Sequence, residues 1–133
     1  HLSLRRQRQM CIRDSYYPDI FILCVIFILI GHIFPIWLKN FSGGKGYASF
    51  LGILLASSYV LFFIIITSWI VVFAIARISS LSALLSIIIL FVTVTLLPDI
   101  KYVESYYIAG LIVLISHAKN ILRLITGKEE LLK

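Results

Sequence analysis

The chain has 133 residues, of which 61% are hydrophobic, and its mean hydropathy is +1.05. Soluble domains rarely exceed half apolar residues, so the composition excludes that class and favours a membrane protein. The formal net charge is +6, but residues 1–15 contain four arginines and only one acidic residue. Because no basic face remains in the rest of the chain, we expect no nucleic-acid partner.

The first 15 residues differ abruptly from the remainder. They read HLSLRRQRQMCIRDS and do not begin with methionine. We interpret 1–15 as a non-native or disordered tail, and 16–133 as a transmembrane domain; the alternative for the tail is a native basic cytoplasmic segment. A signal peptide is not expected, because the apolar run that starts at Ile20 is too long and no small-residue cleavage site follows it.

Long apolar stretches follow the tail at 20–37, 47–76, 81–97 and 106–115. A helix needs about 20 residues to cross a hydrocarbon core of about 30 Å, so these stretches predict an all-α, polytopic transmembrane bundle. The alternation of apolar and polar residues that is typical of membrane strands is absent. The first helix should end near Gly31 and Pro35, and the last helix should run over about 106–125.

Residues 47–76 decide the predicted topology. Thirty helical residues give about 45 Å, which is long for one span and short for two. If this stretch crosses once, the polar residues around Gly43 and His117 face opposite sides of the membrane. If it breaks at Ser57 and Ser58, they face the same side, and all but one of the later lysines and arginines lie in the cytoplasm, as the positive-inside rule prefers. We therefore predict about five helical segments, with both clusters on the cytoplasmic side.

Three polar clusters interrupt the apolar sequence. The first combines His32 with the turn 43–46, the second combines Arg77 with nearby serines, and the third begins at His117. Polar and ionisable groups at membrane depth are costly and tend to mark function. The turn Gly-Gly-Lys-Gly offers backbone N–H groups and one cation, which suit a phosphate, although its spacing is not that of a Walker A loop. No metal site is expected, since the two histidines outside the tail lie far apart and lack nearby carboxylates.

Two of these clusters lie in segments that resemble a known family. Residues 31–49 read GHIFPIWLKNFSGGKGYAS, and residues 117–129 read HAKNILRLITGKE. The first resembles the pattern GHxFPxxLxFxGGKGxAT, which has one residue fewer before GGKG, and the second resembles HxxNIxRLxxGxE, of the bacterial acyl-phosphate-dependent glycerol-3-phosphate acyltransferases. Between them, RISSLSA is similar to the RxxSLxS of that family. The resemblance begins at Ser15, covers about the last two thirds of the family's length and implies a membrane-integral, seven-helix fold.

The resemblance implies transfer of an acyl group from acyl phosphate to glycerol 3-phosphate, which forms lysophosphatidic acid in the first step of phospholipid synthesis, without a cofactor. Such a site has to hold two phosphates, orient a hydroxyl group and stabilise developing charge. By family analogy, catalysis involves His117 and Asn120, substrate or phosphate binding involves Gly43, Gly44, Lys45, Gly46, Ser80 and His32, and Arg123 and Glu129 support the site. Either His117 or a substrate phosphate accepts the hydroxyl proton; the sequence leaves both open.

The chain also departs from the family pattern. The family's first motif, Ser-Gly-Asn-x-Gly-Ala-Thr-Asn with a nearby arginine, has no counterpart, nor do the first two helices. We therefore expect the chain as given to be an inactive fragment of an active enzyme. Ser49 replaces the usual threonine and keeps its hydroxyl group, whereas Ala83 stands where a second serine is common.

Two other functional classes also fit an apolar chain with polar clusters. A transporter or channel subunit would need a water-accessible path, and an assembly protein would use its polar residues only to join helices. The sequence upstream of Ser15 would discriminate, because a glycine- and asparagine-rich motif there favours the enzyme. If the chain is part of the enzyme, we expect it to lie in a bacterial inner membrane with its site facing the cytoplasm. We expect acyl phosphate and glycerol 3-phosphate as its substrates, the lipid bilayer as its surroundings, and no obligatory protein partner.

Overall fold

A computed structural model describes residues 19–35, 43–97 and 100–127. All regular secondary structure in these ranges is helical. The helices are α1 (Asp19–Ile33), α2 (Tyr47–Ser57), α3 (Tyr59–Ala76), α4 (Ser79–Leu96), α5 (Val103–Ser116) and α6 (Ala118–Ile125). The predicted all-α transmembrane bundle is confirmed, and its described part has five segments when the bent pair α5 and α6 is counted as one.

Helices α3 and α4 are the two described helices that are individually long and apolar enough to cross a membrane, and the bent pair of α5 and α6 is a third candidate span. Only 11% of α3 is buried inside the bundle. Large apolar side chains such as Phe63, Ile70 and Ile88 are exposed on these helices. An apolar surface of this extent is unfavourable in water and suits contact with lipid.

The predicted break at Ser57 and Ser58 is confirmed, because α2 ends at Ser57 and α3 begins at Tyr59. Ser58 has an extended backbone, and its side chain accepts a hydrogen bond from the Leu61 N–H at 3.4 Å, as an N-cap residue does. The Tyr106 hydroxyl donates to Ser57 Oγ at 3.0 Å. These contacts supply protein partners to the helix ends, which lipid could not provide.

The last predicted helix is not continuous. The axis bends by 58° between α5 and α6, and α5 begins at Val103, before the predicted start at 106. At the bend, His117 Nδ1 lies 2.8 Å from the Val113 carbonyl oxygen, and the His117 backbone N–H lies 3.2 Å from the same oxygen. The His117 ring thus competes with a helical N–H group for a carbonyl in the last turn, which is a known cause of helix bending.

The interface between α4 and α5 requires a small residue at Gly110. A Cβ atom there would lie 2.5 Å from the Phe91 ring and 3.2 Å from Ile87, and the Phe91 ring in turn packs against Tyr107, with ring centroids 5.2 Å apart. The Phe91 ring therefore has little room to move, and Gly110 allows the two helices to approach closely.

We expect Gly110→Val to destabilise the protein by about 1–3 kcal/mol, since it overfills a packed interface. Gly52→Val is the matched control, because Gly52 also lies within a helix and a Cβ atom there has no heavy atom within 4 Å. Thermal unfolding in detergent measures both variants. Equal losses of stability would contradict the packing described for Gly110.

Candidate functional site

A cavity of about 380 Å³ lies at the end of the bundle where α2, α4 and α6 begin. Its lining includes His32, Gly44, Lys45, Gly46, Ser80 and His117. The cavity therefore brings together residues from all three polar clusters, although they are far apart in the sequence.

A direct hydrogen bond joins the glycine-rich turn to the end of α5. Ser116 Oγ donates to the Lys45 carbonyl oxygen at 2.6 Å across a sequence separation of 71 residues. The turn and His117 therefore lie at the same end of the bundle. This is the arrangement predicted from the break of 47–76 into two helices.

The three glycines of the turn are required for different structural reasons. A Cβ atom at Gly43 would overlap the His32 carbonyl oxygen, and the Gly43 N–H donates to the Ile33 carbonyl oxygen at 3.2 Å. A Cβ atom at Gly44 would lie 2.5 Å from His32 Nε2. Gly46 has φ +76°, a left-handed conformation that favours glycine. The turn is thus packed tightly against the end of α1.

The electrostatics of the cavity favour an anion. Its lining contains Tyr47 and Ala48 from the first turn of α2, Ser79 and Ser80 from the first turn of α4, and His117, the residue preceding α6. The first N–H groups of a helix have no intrahelical acceptor, and they carry the positive end of the helix dipole. Three helix starts therefore face one cavity, and the exposed side chain of Lys45 adds a full positive charge.

His117 is 2% exposed, and its hydrogen bond identifies the protonated ring nitrogen. Nδ1 lies 2.8 Å from the Val113 carbonyl oxygen. A carbonyl oxygen can only accept, so Nδ1 carries the proton, and the neutral ring has its lone pair on Nε2. A neutral His117 is therefore the tautomer that can accept a proton at Nε2.

Two further predicted site residues are buried polar groups near His117. Ser80, in the first turn of α4, is 5% exposed, and Asn120, in the first turn of α6, is 7% exposed. The Asn120 N–H donates to the His117 carbonyl oxygen at 2.9 Å. The two residues do not lie on one continuous helix over 106–125, as predicted; His117 lies at the corner between α5 and α6, and Asn120 follows it within α6.

His32 lies in the cavity wall, and Ser49 orients it. The Ser49 hydroxyl group and His32 Nδ1 are hydrogen-bonded at 2.9 Å. The other ring nitrogen faces Gly44, since a Cβ atom on that glycine would be closest to Nε2. The hydroxyl group that serine shares with threonine therefore has a defined role in the motif.

Asn120 does not line the cavity, and the remaining predicted residues also lie outside it or outside the described chain. Arg123 is exposed on α6, and Gly43 supports the turn from outside the lining. Glu129 lies outside the described residues. Ala83, which stands where a serine is common, is 3% exposed and lines the cavity.

Tyr47 and Trp69 also line the cavity, and the sequence did not predict this. The two rings have centroids 6.5 Å apart, and Trp69 stacks on Phe73 with centroids 5.0 Å apart. The Tyr47 hydroxyl group is hydrogen-bonded to Ser86 Oγ at 2.6 Å. These aromatic residues form an apolar wall beside the polar groups.

Comparison with known proteins gives the family. A family model described as glycerol-3-phosphate acyltransferase matches residues 7–127, and the match begins within the segment 1–15 that we set aside. The chain therefore belongs to the glycerol-3-phosphate acyltransferase family. It is 44% identical over 118 residues to the glycerol-3-phosphate acyltransferase of Bartonella henselae, covering 87% of this chain and 56% of the relative.

Two further similar proteins are also described as glycerol-3-phosphate acyltransferases. The glycerol-3-phosphate acyltransferase of Francisella philomiragia is 39% identical over 104 residues, covering 78% of this chain and 50% of the relative. A crystal structure of PlsY (YgiH), an integral membrane glycerol 3-phosphate acyltransferase in its glycerol 3-phosphate form, matches with a TM-score of 0.72 and 27% identity. That match covers 79% of this chain and 52% of the other. The chain thus spans about half the length of these relatives.

We expect nitrogen NMR of the histidine-labelled protein to show His117 as the Nδ1–H tautomer when the ring is neutral, because the Val113 carbonyl oxygen requires a proton at that atom. A His117→Asn variant assigns the signal by its disappearance. A neutral ring protonated at Nε2, the form that free histidine prefers, would contradict the geometry of the corner.

Proposed function

We propose that the complete protein transfers an acyl group from an acyl phosphate to a hydroxyl group of glycerol 3-phosphate at this cavity. The observation that carries the proposal is the meeting of the turn 43–46, the start of α4 and His117 around one space. The family match and the relatives named glycerol-3-phosphate acyltransferase support it, as do the PlsY structures in glycerol 3-phosphate and lysophosphatidic acid forms.

The residues of the cavity suit the chemistry of this transfer. Lys45 and the N–H groups at the helix starts bind phosphate oxygens. The glycerol hydroxyl attacks the acyl carbonyl carbon; a C–O bond forms, the bond from that carbon to the phosphate oxygen breaks, and phosphate leaves. The hydroxyl proton passes to His117 Nε2 or to the phosphate. Because the donor is already activated, no covalent enzyme intermediate is required.

The other residues hold the substrates in position. Ser80, which lines the cavity, and Asn120, whose N–H donates to the His117 carbonyl oxygen, contact or orient glycerol 3-phosphate. His32 holds the turn through its packing against Gly44. The apolar wall at Trp69 lies next to the polar groups, so the acyl chain of the donor can leave the cavity toward lipid while its phosphate remains bound.

The charge distribution supports a cytoplasmic site in a bacterial inner membrane. Lys45 lies in the turn, Arg77 joins α3 to α4, and Lys119 and Arg123 lie on α6, all at the cavity end of the bundle. Lys101 precedes α5 at the opposite end. Excess positive charge marks the cytoplasmic side of a membrane protein.

We expect Lys45→Ala in the complete protein to lower kcat/KM for acyl transfer by about 10- to 100-fold, since a hydrogen bond to a charged group contributes about 1.5–3 kcal/mol. The measurement is lysophosphatidate formation from acyl phosphate and glycerol 3-phosphate. Lys101→Ala is the control, because it removes the same charge from the other end of the bundle.

The control variant should retain the rate of the parent protein, and both variants should unfold at similar temperatures. If Lys45→Ala and Lys101→Ala transfer acyl groups equally fast, the turn is not part of the site. If the complete parent protein forms no lysophosphatidate, the proposed reaction is wrong, and the transporter and assembly classes become the alternatives.

A further inference from the structure

Ser116 connects the turn to the histidine, although it lies outside both sequence motifs. It is the last residue of α5, and its Oγ lies 2.6 Å from the Lys45 carbonyl oxygen and 2.7 Å from the Val113 carbonyl oxygen. The same Oγ lies 3.3 Å from His117 Nδ1. One hydroxyl group therefore contacts the glycine-rich turn, the end of α5 and the imidazole ring.

The single proton of this hydroxyl group can be donated fully to only one of the two carbonyl oxygens. Ser116 has one proton to donate, and both neighbouring carbonyl oxygens can only accept. The Val113 oxygen already receives His117 Nδ1–H at 2.8 Å and the His117 backbone N–H at 3.2 Å. The His117 backbone N–H is shared with the Leu114 carbonyl oxygen at 3.0 Å. Because the Val113 oxygen already has these two donors, the Ser116 proton goes to Lys45, the shorter of its two carbonyl contacts. The lone pairs of Ser116 Oγ then face the Nδ1–H group.

The bond to Lys45 also determines how the turn is oriented. The Lys45 carbonyl and the Gly46 N–H belong to one planar trans peptide unit and point in opposite directions. Holding the carbonyl oxygen toward Ser116 therefore holds the Gly46 N–H away from it. Gly46 lines the cavity and immediately precedes α2, so this peptide unit determines how the turn presents its groups there.

We propose that Ser116 is a positioning residue for acyl transfer: it holds the turn 43–46 and the His117 ring in a fixed mutual geometry. The expected change in the rate of acyl transfer rests on the proposed function. The expected change in the geometry of the turn rests on the hydrogen bonds alone. Ser116 contacts no substrate in this account. It acts through Lys45 and His117.

The kinetic test compares Ser116→Ala, Ser116→Thr and Thr93→Val in the complete protein. Thr93 is the matched control, because its hydroxyl group donates to the Ile89 carbonyl oxygen at 2.7 Å within α4 and it lies outside the cavity lining. Ser116→Ala should lower kcat by about three- to tenfold, the effect of one neutral hydrogen bond, with KM for glycerol 3-phosphate changed less than twofold. Ser116→Thr should restore the rate, and Thr93→Val should leave it unchanged.

Hydrogen exchange gives a second test that does not depend on activity. Amide exchange over 43–49 should be faster in Ser116→Ala than in the parent protein, and it should be unchanged in Thr93→Val. A kcat for Ser116→Ala equal to that of Thr93→Val would overturn the proposal, and so would unchanged exchange in the turn. If the parent protein has no acyltransferase activity, the proposed function fails, while the exchange result still tests the connection that Ser116 makes.

Discussion

The shortness of α2 determines where the polar residues of this chain meet. Its 11 residues extend about 16 Å, roughly half of a hydrocarbon core. The chain turns back after Ser57, beside Ile100 and Lys101 in the segment that joins α4 to α5. Because the following helix returns to the starting side, the turn before α2 and the corner after α5 reach the same end of the bundle.

This turn within the bundle is stable because protein groups replace water at the break. Lipid offers no hydrogen bonds to an exposed backbone, so a helix end inside the bundle needs partners from neighbouring residues. Ser58 caps the start of α3, and the Tyr106 hydroxyl group binds Ser57 from α5. Leu54 and Leu61, on either side of the break, are both fully buried. The residues that allow the break are therefore also the ones that anchor α2 to the rest of the bundle.

Much of this arrangement could be predicted from the sequence. Apolar length and the distribution of lysine and arginine were enough to predict the break at Ser57 and Ser58 and the common side of the two clusters. The bend at His117 could not be predicted, because neither proline nor glycine marks it. It depends on the His117 ring and the His117 backbone N–H competing for the Val113 carbonyl oxygen, and this competition exists only once the side chain has its three-dimensional position.

The glycine-rich turn shows a second limit of sequence reasoning. The composition of the turn predicts N–H groups that can bind an anion. In the structure, however, two of its glycines are already required by packing, because Gly43 lies against the backbone of α1 and Gly44 lies against the His32 ring. The left-handed conformation of Gly46 places it at the start of α2. Close packing and anion binding thus impose compatible requirements on one short segment. The position of Trp69 in the cavity wall could not be predicted either, since nothing in an apolar helix indicates which aromatic residue borders a polar cavity.

The most direct test of this account is the sidedness of the two segments in the complete protein. Single cysteines at Lys45, Lys119 and Lys101, in a background with Cys11 and Cys24 changed to serine, are labelled with a membrane-impermeant thiol reagent in intact cells and in inverted vesicles. We expect Lys45→Cys and Lys119→Cys to react from the cytoplasmic side, and Lys101→Cys to react from the other. Labelling of positions 45 and 119 from opposite sides would contradict the account, because the turn and the imidazole could not then share one cavity.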